Sequence, residues 1–266
     1  MGRGPKKHLK RVASPSSWML FKMGGKYAPK TSAGPHKAKE SVPLCVVLRH
    51  RLKYASTGRE VTMIVKDKEG LIKVDHRVRT DPNFPLGIMD VLTIDKTNEN
   101  FRILYDVKGR FILRKINQEE AAYKLVKVVR KELGANKIPY VVTNDSRTLR
   151  FPHPDINLHD TLKLDIDSKK VLDVAKFEVG NLCYVISGNN IGRVGVLTHI
   201  ESHLNSHEIV HLKDEANKKF ATRQENVMII GKGLKPLISL SKDKGLSLSN
   251  LEEKEKKENQ KNKAAK

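Results

Sequence analysis

The amino-acid sequence predicts an α+β, multidomain protein. Three observations carry that expectation. Short β-branched runs bounded by Gly, Asn, Asp and Pro recur through most of the chain, the pattern of strands joined by tight turns. Two capping-box patterns, Thr57-Gly58-Arg59-Glu60 and Ser249-Asn250-Leu251-Glu252, each start a helical stretch. The charge is also unevenly placed: of a net +21, residues 1–40 supply +9 and residues 41–80 supply +5. That asymmetry separates a basic arm and a basic first domain from the remainder.

Taken in order, residues 1–40 are a basic N-terminal arm rich in Gly, Pro, Ser and Lys, expected to be loose until bound. Ser14-Pro15 predicts one short helix over Ser16–Met23. Lys6, Lys7, Lys10 and Arg11 are placed to meet phosphates; Trp18, Phe21 and Tyr27 are candidates for stacking on bases or for local packing.

Residues 41–95 read as two helices plus a small sheet. Leu44, Val47, Leu48 and Leu52 fall at helical spacing over Pro43–Tyr54, with Arg49, Arg51 and Lys53 on the other side. The Thr57 capping box starts a second helix through Val65, and Gly70 ends the unit. Leu71–Val74 and Val91–Ile94 read as strands around a turn at 81–85.

Residues 96–175 form a β-rich central domain. Phe101–Val107 and Arg110–Ile116 are strands joined at Lys108-Gly109. Gln118–Leu133 reads as a helix capped by Asn117, yet Leu125-Val126-Lys127-Val128-Val129 within it is equally strand-like. Ile138–Val142, Thr148–Phe151 and Leu162–Ile166 are short strands. In 176–235, Gly188, Gly192 and Gly195 fit neither a P-loop nor a dinucleotide fingerprint, and predict instead a tight hairpin in a small barrel. Residues 236–266 are a C-terminal extension and charged tail; the helix-prone run after the Ser249 capping box has almost no apolar face.

The segment His207-Glu208-Ile209-Val210-His211 matches the H-E-x-x-H zinc pattern. Its chemistry needs a helix, on which two His four residues apart rise only about 6 Å. On a strand they stand about 13 Å apart, too far for one metal. The β-branched neighbours and the turn pair Asn205-Ser206 favour the strand, so the match is taken as chance and no metal is expected. Cys45 and Cys183 lie far apart and suggest neither a disulfide scaffold nor a zinc site, which makes a reducing compartment the default. The longest apolar run near the N-terminus, Trp18–Phe21, is too short for a signal core, and no stretch reaches the ~20 apolar residues of a membrane span. A pI near 9.9 points to a polyanionic partner, most often nucleic acid.

"RGPKKHLKRVASPSSWML" at 3–20, "AGPHKAKESVPL" at 33–44, "GNNIGRVG" with "HEIVHLKD", and "FATRQENVMIIGKGLKPLISL" together resemble the e-type S-four family of small-subunit ribosomal proteins, shared by eukaryotes and archaea. The resemblance implies an S-four-type RNA-binding domain at 41–95 and a KOW motif in an SH3-like barrel at 176–235. It also implies strand rather than helix for much of 124–132, and a strand for HEIVH. It implies a non-catalytic constituent of the small ribosomal subunit, without cofactor, membrane or small-molecule substrate, whose partners are ribosomal RNA and neighbouring ribosomal proteins. Its place would be the cytoplasmic ribosome after a nucleolar assembly phase. The candidate RNA contacts are Lys6, Lys7, His8, Lys10, Arg11, Trp18, Lys22, Lys26, Arg49, Arg51, Lys53, Arg59, Arg77, Arg79 and Arg193. The sequence departs from the family at Leu237, where a Trp is expected, and over 242–251, which is less basic. Two alternatives stand beside this reading: an RNA-modifying enzyme carrying an S-four domain, and a free KOW-type translation or transcription factor.

Overall fold

The structure, a computed structural model, describes residues 4, 6–241, 243–255 and 258. The arm is folded against the body rather than loose. β1 (Leu9–Lys10) pairs antiparallel with β2 (Tyr27–Ala28), and between them run single 3-10 turns at Arg11–Ala13 and Ser16–Trp18. The helix expected over Ser16–Met23 is only that one turn, because Met19 takes a left-handed backbone (φ 51°) and breaks it. Trp18 and Leu20 turn inward to the core. That burial docks the arm on the body.

After the arm come β3 (Ser41–Pro43) and α1 (Leu44–Val46), which widens into a π-helical turn over Val47–Arg51. The Leu52 N–H reaches back five residues to the Val47 carbonyl at 3.0 Å. The wide turn buries Val46, Val47 and Leu48 in succession, which a regular helix of this stripe would not do. α2 (Gly58–Val65) matches its sequence signal residue for residue: Thr57 and Glu60 form the reciprocal capping box.

The strands β4 (Ile72–Val74), β5 (Arg77–Val78), β6 (Pro85–Gly87), β7 (Val91–Ile94), β8 (Glu99–Tyr105) and β9 (Phe111–Ile116) follow. β6 pairs with β3, and the others form one antiparallel sheet of order β5-β4-β7-β8-β9. β8 and β9, which lie past residue 95, thus extend the sheet of the first domain.

Gln118–Leu133, open between helix and strand on its own residues, is mostly strand, as the resemblance implies. α3 spans only Gln118–Ala121, and β10 (Tyr123–Leu133) is the longest strand. Its first half pairs with β13 (Thr161–Asp165) and its second with β11 (Pro139–Thr143). Ladder bonds on both sides, with Val126, Val128 and Leu125 packed in the interior, outweigh local helix propensity. β12 (Thr148–Arg150) and β14 (Val171–Ala175) complete the sheet β12-β11-β10-β13-β14.

The C-terminal unit is a six-stranded antiparallel sheet of order β18-β17-β16-β15-β19-β20. Its strands are β15 (Leu182–Val185), β16 (Val194–Glu201), β17 (Ile209–Lys213), β18 (Lys219–Arg223), β19 (Val227–Lys232) and β20 (Lys235–Pro236). Gly192 in the β15–β16 hairpin has φ +82°, and a Cβ there would stand 2.1 Å from the Asp106 carbonyl oxygen. Only glycine admits that approach. The Ser249 capping box forms as its spacing predicts, with the Glu252 N–H donating to Ser249 Oγ at 3.3 Å.

One large core runs through all these parts: Trp18 of the arm, Leu44, Leu48 and Val61, Leu92 and Ile103, and Tyr184, Met228 and Ile230 of the C-terminal sheet. Beside it lies a buried ionic cluster. Lys124 Nζ stands 2.9 Å from Asp75 Oδ2, 2.5 Å from Asp90 Oδ1 and 3.2 Å from Asp145 Oδ2. His36 of the arm meets Asp90 Oδ2 at 2.9 Å, and Arg147 closes on Asp75 and Asp145. Burial by itself would raise the Asp90 carboxyl, but the charges of His36 and Lys124 outweigh it and hold it well below the usual carboxylate range. The cluster ties arm, first sheet and central sheet at one point. Breaking any one partner would leave an uncompensated buried charge.

Candidate nucleic-acid interface

Folding of the arm brings two basic segments together. Arg51 Nη2 donates to the Trp18 carbonyl at 3.3 Å, so the π-helical turn sits directly beneath the arm. Arg49 contacts His50 through Nε at 3.1 Å and Nη2 at 3.0 Å from His50 Nε2. A Cβ on Gly58 would lie 3.9 Å from Arg49 Nη1, which places that guanidinium beside the start of α2 and its exposed Arg59. Partial burial, and then the charges of Arg49, Arg11 and Arg51, lower the His50 pKa. Burial, and then Arg110, lower that of Arg51. His50 is therefore within electrostatic reach of Arg11, Arg49 and Arg51, and Arg51 in turn of Arg110. Sequence reading missed His50 and Arg110. The only signal for Arg110 was its place in the Lys108-Gly109-Arg110 turn, which nothing in the sequence connects to residue 51.

The rest of the arm adds to this surface. Lys6, Lys7, His8, Lys10 and Lys26 are exposed, as is Lys53 in a left-handed turn. Lys10 and Lys26 stand 5.0 and 5.6 Å from the Tyr27 ring centroid, and His8 packs on the same ring at 5.4 Å. These contacts gather three basic side chains around one half-exposed aromatic. Arg11 and Lys22 also bond inward: Arg11 Nε donates to the Phe21 carbonyl at 2.6 Å, and Lys22 Nζ to the Val12 carbonyl at 3.1 Å and the Ser14 carbonyl at 2.5 Å.

Arg77 and Arg79 line a different feature, a cleft of about 640 Å³ shared with Arg147 and Lys169 and floored by the Lys124 cluster. Arg79 lies over Phe84, with its guanidinium carbon 4.3 Å from the ring centroid.

Two candidates are corrected. Trp18 is 1 % exposed, and its indole N–H donates to the Ser41 carbonyl at 2.7 Å. It is a core residue that fastens the arm, with no face left for a base. Arg193 is consumed within the fold. Its Nη2 sits 2.5 Å from Asp214 Oδ2, its Nη1 3.2 Å from Asn190 Oδ1, and its guanidinium carbon 3.7 Å from the Phe220 ring centroid. A turn charge with a buried carboxylate and an aromatic beside it pairs there rather than facing solvent.

His207 and Glu208 precede β17 and are exposed, while His211 lies within it. His211 pairs across the sheet with His199, and its Nε2 stands 2.9 Å from Glu201 Oε1. Only Ile209–His211 of the H-E-x-x-H match lie in a strand, and none of it is helical. Among the described residues no helix is long and apolar enough to cross a membrane.

Comparison with known proteins covers nearly the whole chain. Family profiles match at residues 3–39 (the RS4NT domain), 42–92 (the S4 domain), 97–171 (Ribosomal family S4e) and 214–261 (40S ribosomal protein S4 C-terminus). The chain is 53% identical over 255 residues to small ribosomal subunit protein eS4 of Tetrahymena thermophila, covering 96% of this chain and 98% of the relative. It is 55% identical over 256 residues to the eS4 of Bombyx mori, covering 96% and 97%. The crystal structure of the 30S ribosomal protein S4e from Thermoplasma acidophilum superimposes with a TM-score of 0.64 at 29% identity, over 75% of this chain and 99% of that one.

Proposed function

The chain belongs to the S4e family of ribosomal proteins, and from that membership we propose that it is a structural constituent of the small ribosomal subunit that binds and stabilises ribosomal RNA. The observation that carries the reading is the convergence of Arg11 from the arm with Arg49, His50, Arg51 and Arg110 from the body. Mutual repulsion among these groups lowers stability in the free chain, and a phosphate backbone relieves it. Lys6, Lys7, His8, Lys10, Lys26, Lys53 and Arg59 extend that surface, and Arg77 and Arg79 offer phosphate contacts at the cleft. Backbone contacts of this kind set affinity; the shape of folded RNA sets the site.

The work is binding rather than reaction. Burial pushes the Cys183 thiol up to about 12 and the Cys45 thiol up to about 11, both far from thiolate chemistry. The glycine hairpin at 188–195 and the six-stranded sheet support a KOW-type, SH3-like unit at 176–235. Its neighbours are small-subunit RNA and ribosomal proteins, and its place is the cytoplasmic ribosome after nucleolar assembly.

Sedimentation of a cell lysate through a sucrose gradient tests the reading. A fixed subunit protein runs stoichiometrically with the small subunit and stays there in moderately high salt. A chain that remains near the top, or leaves at low salt, is an exchanging factor or a modifying enzyme.

A further inference from the structure

The loop between β1 and β2 sorts its side chains by direction. Trp18 and Leu20 are buried; Met19 and Phe21, which alternate with them, are exposed. The loop is held in shape by reciprocal bonds. Arg11 reaches across to the Phe21 carbonyl, and Lys22 reaches back to the Val12 and Ser14 carbonyls. Segments 11–14 and 21–24 are thereby fastened side by side. Gly24 fits closely between them, since a Cβ there would stand 3.0 Å from Arg11 Nη2 and 3.4 Å from the Phe21 ring.

On this fastened loop Val12 is 75 %, Phe21 71 % and Met23 84 % exposed. Single exposed apolar residues are ordinary. Here three of them stand on one small loop whose backbone is fixed by two cations that bond inward. Their setting also names the partner. Residues 6–39 hold nine Lys and Arg and no Asp or Glu. An apolar protein surface gains nothing from such a field, whereas RNA offers both phosphates for the cations and base faces for the apolar tip.

We infer that this tip is a base-contacting wedge: Phe21, with Met23 and Val12 beside it, packs on unstacked bases of RNA while the surrounding lysines hold the phosphates. The inference rests on the RNA-binding reading above, and gives the apolar contact to the tip instead of to Trp18. Phe21 supplies a flat ring, Met23 adapts to an irregular face, and the pre-ordered loop loses little entropy on binding.

Filter binding of the full chain to in-vitro transcribed small-subunit ribosomal RNA, over a KCl series, tests it. The double variant Phe21→Ser with Met23→Ser is expected to lose affinity by about tenfold or more at every salt concentration, with the slope of log affinity against log salt unchanged. Phe21→Trp keeps a stacking face and is expected to bind as the parent does. Lys6→Ala with Lys7→Ala and Lys10→Ala instead makes the slope shallower. Trp18 emission, unchanged in the double variant, confirms that the arm is still docked. Parent-level affinity in the double variant overturns the wedge, including the case in which that variant fails only to enter ribosomal subunits, which assigns the tip to a protein neighbour. If the parent chain itself does not bind, the RNA-binding reading falls and the wedge with it.

Discussion

The Tyr184 hydroxyl closes on both backbone groups of Tyr105: it accepts the Tyr105 N–H at 2.7 Å and donates to the Tyr105 carbonyl at 2.8 Å. The need for this arises in the sheet. Two residues earlier on the same edge of β8, the Ile103 N–H and carbonyl bond to Asp90 and Met89. β7 pairs with β8 only as far as Val91 opposite Arg102, so at Tyr105 that edge has no strand to pair with. A side chain from β15 takes the strand's place and joins the first sheet to the C-terminal one. Burial drives the Tyr184 hydroxyl far above its ordinary range, so it stays protonated and able to donate. Tyr184→Phe keeps the ring and strands both groups. It should cost about 1–3 kcal/mol, read as a lower denaturant midpoint without loss of secondary structure.

The docked arm has a built-in reporter, because Trp18 is the chain's one tryptophan. Its emission should be blue-shifted and poorly quenched by acrylamide in the free protein, moving red only on unfolding. Trp18→Phe loses the bond to Ser41 and part of the volume, and should leave the arm in place. Trp18→Ala empties a core position at a cost of about 3–5 kcal/mol, and limited proteolysis should then cut within residues 6–40 ahead of the body. An arm as protease-sensitive in the parent as in Trp18→Ala would contradict the docking.

How much of this was legible follows from the range of each interaction. α2 and β7 matched their expected bounds because a capping box and a short β-branched run are local signals. β10 was ambiguous between helix and strand because its partners, β11 and β13, are non-local and settle the matter by pairing. Nothing in the sequence marks Lys124 and Lys127 as buried. They are buried because their acceptors come from elsewhere, Asp75 and Asp90 in one case and the carbonyls of Gln224 and Glu225 in the other. Trp18 and Arg193 failed as RNA contacts for the same reason: an aromatic or an Arg takes whichever partner the tertiary fold supplies. The basic character of the arm and of residues 49–53 was readable from composition. The meeting of those segments, and the inclusion of Arg110, was not.

Gly192 separates two costs that glycine substitutions usually combine. Gly180 also has a positive φ, of +94°, but open space around it. Gly180→Ala should therefore cost only the backbone term, about 1–2 kcal/mol. Gly192→Ala adds a collision with the Asp106 carbonyl, an atom fixed at the end of β8, and should destabilise markedly more. Equal thermal midpoints for the two variants would mean that the hairpin does not rest on the Asp106 turn as described.

Lys127 should leave a mark on the pH dependence of stability. Burial pulls its pKa from 10.5 down to about 7, with Glu225 opposing. Between about 7 and 10.5 the unfolded chain carries a proton there that the folded chain lacks, so this group's contribution to stability rises with pH across that window. Below about 7 the lysine is protonated in both states and its contribution is flat. Denaturant midpoints at about pH 6.5 and about pH 9.5, in the parent and in Lys127→Met, read the effect. The rise attributable to this group should vanish in the variant, whatever the other titrating groups contribute to both proteins.

His50 makes the RNA interface itself pH-dependent. Its Nε2 accepts from Arg49, which requires the neutral ring; partial burial, and then the charges of Arg49, Arg11 and Arg51, further disfavour protonation. A phosphate seated among those guanidiniums offsets the part of the lowering that their charges supply, so the pKa is expected to rise in the complex and binding to take up a proton. Linkage then fixes the sign: affinity increases as pH falls through the range in which the bound His50 is charged and the free one is not. At constant ionic strength the full chain should bind small-subunit ribosomal RNA more tightly at about pH 6 than at about pH 7.5. His50→Gln should flatten that difference while keeping the salt dependence supplied by the arginines. If the pH dependence survived the substitution intact, the proton would be entering elsewhere, and the convergence of Arg11 and Arg49 would not be where the phosphate binds.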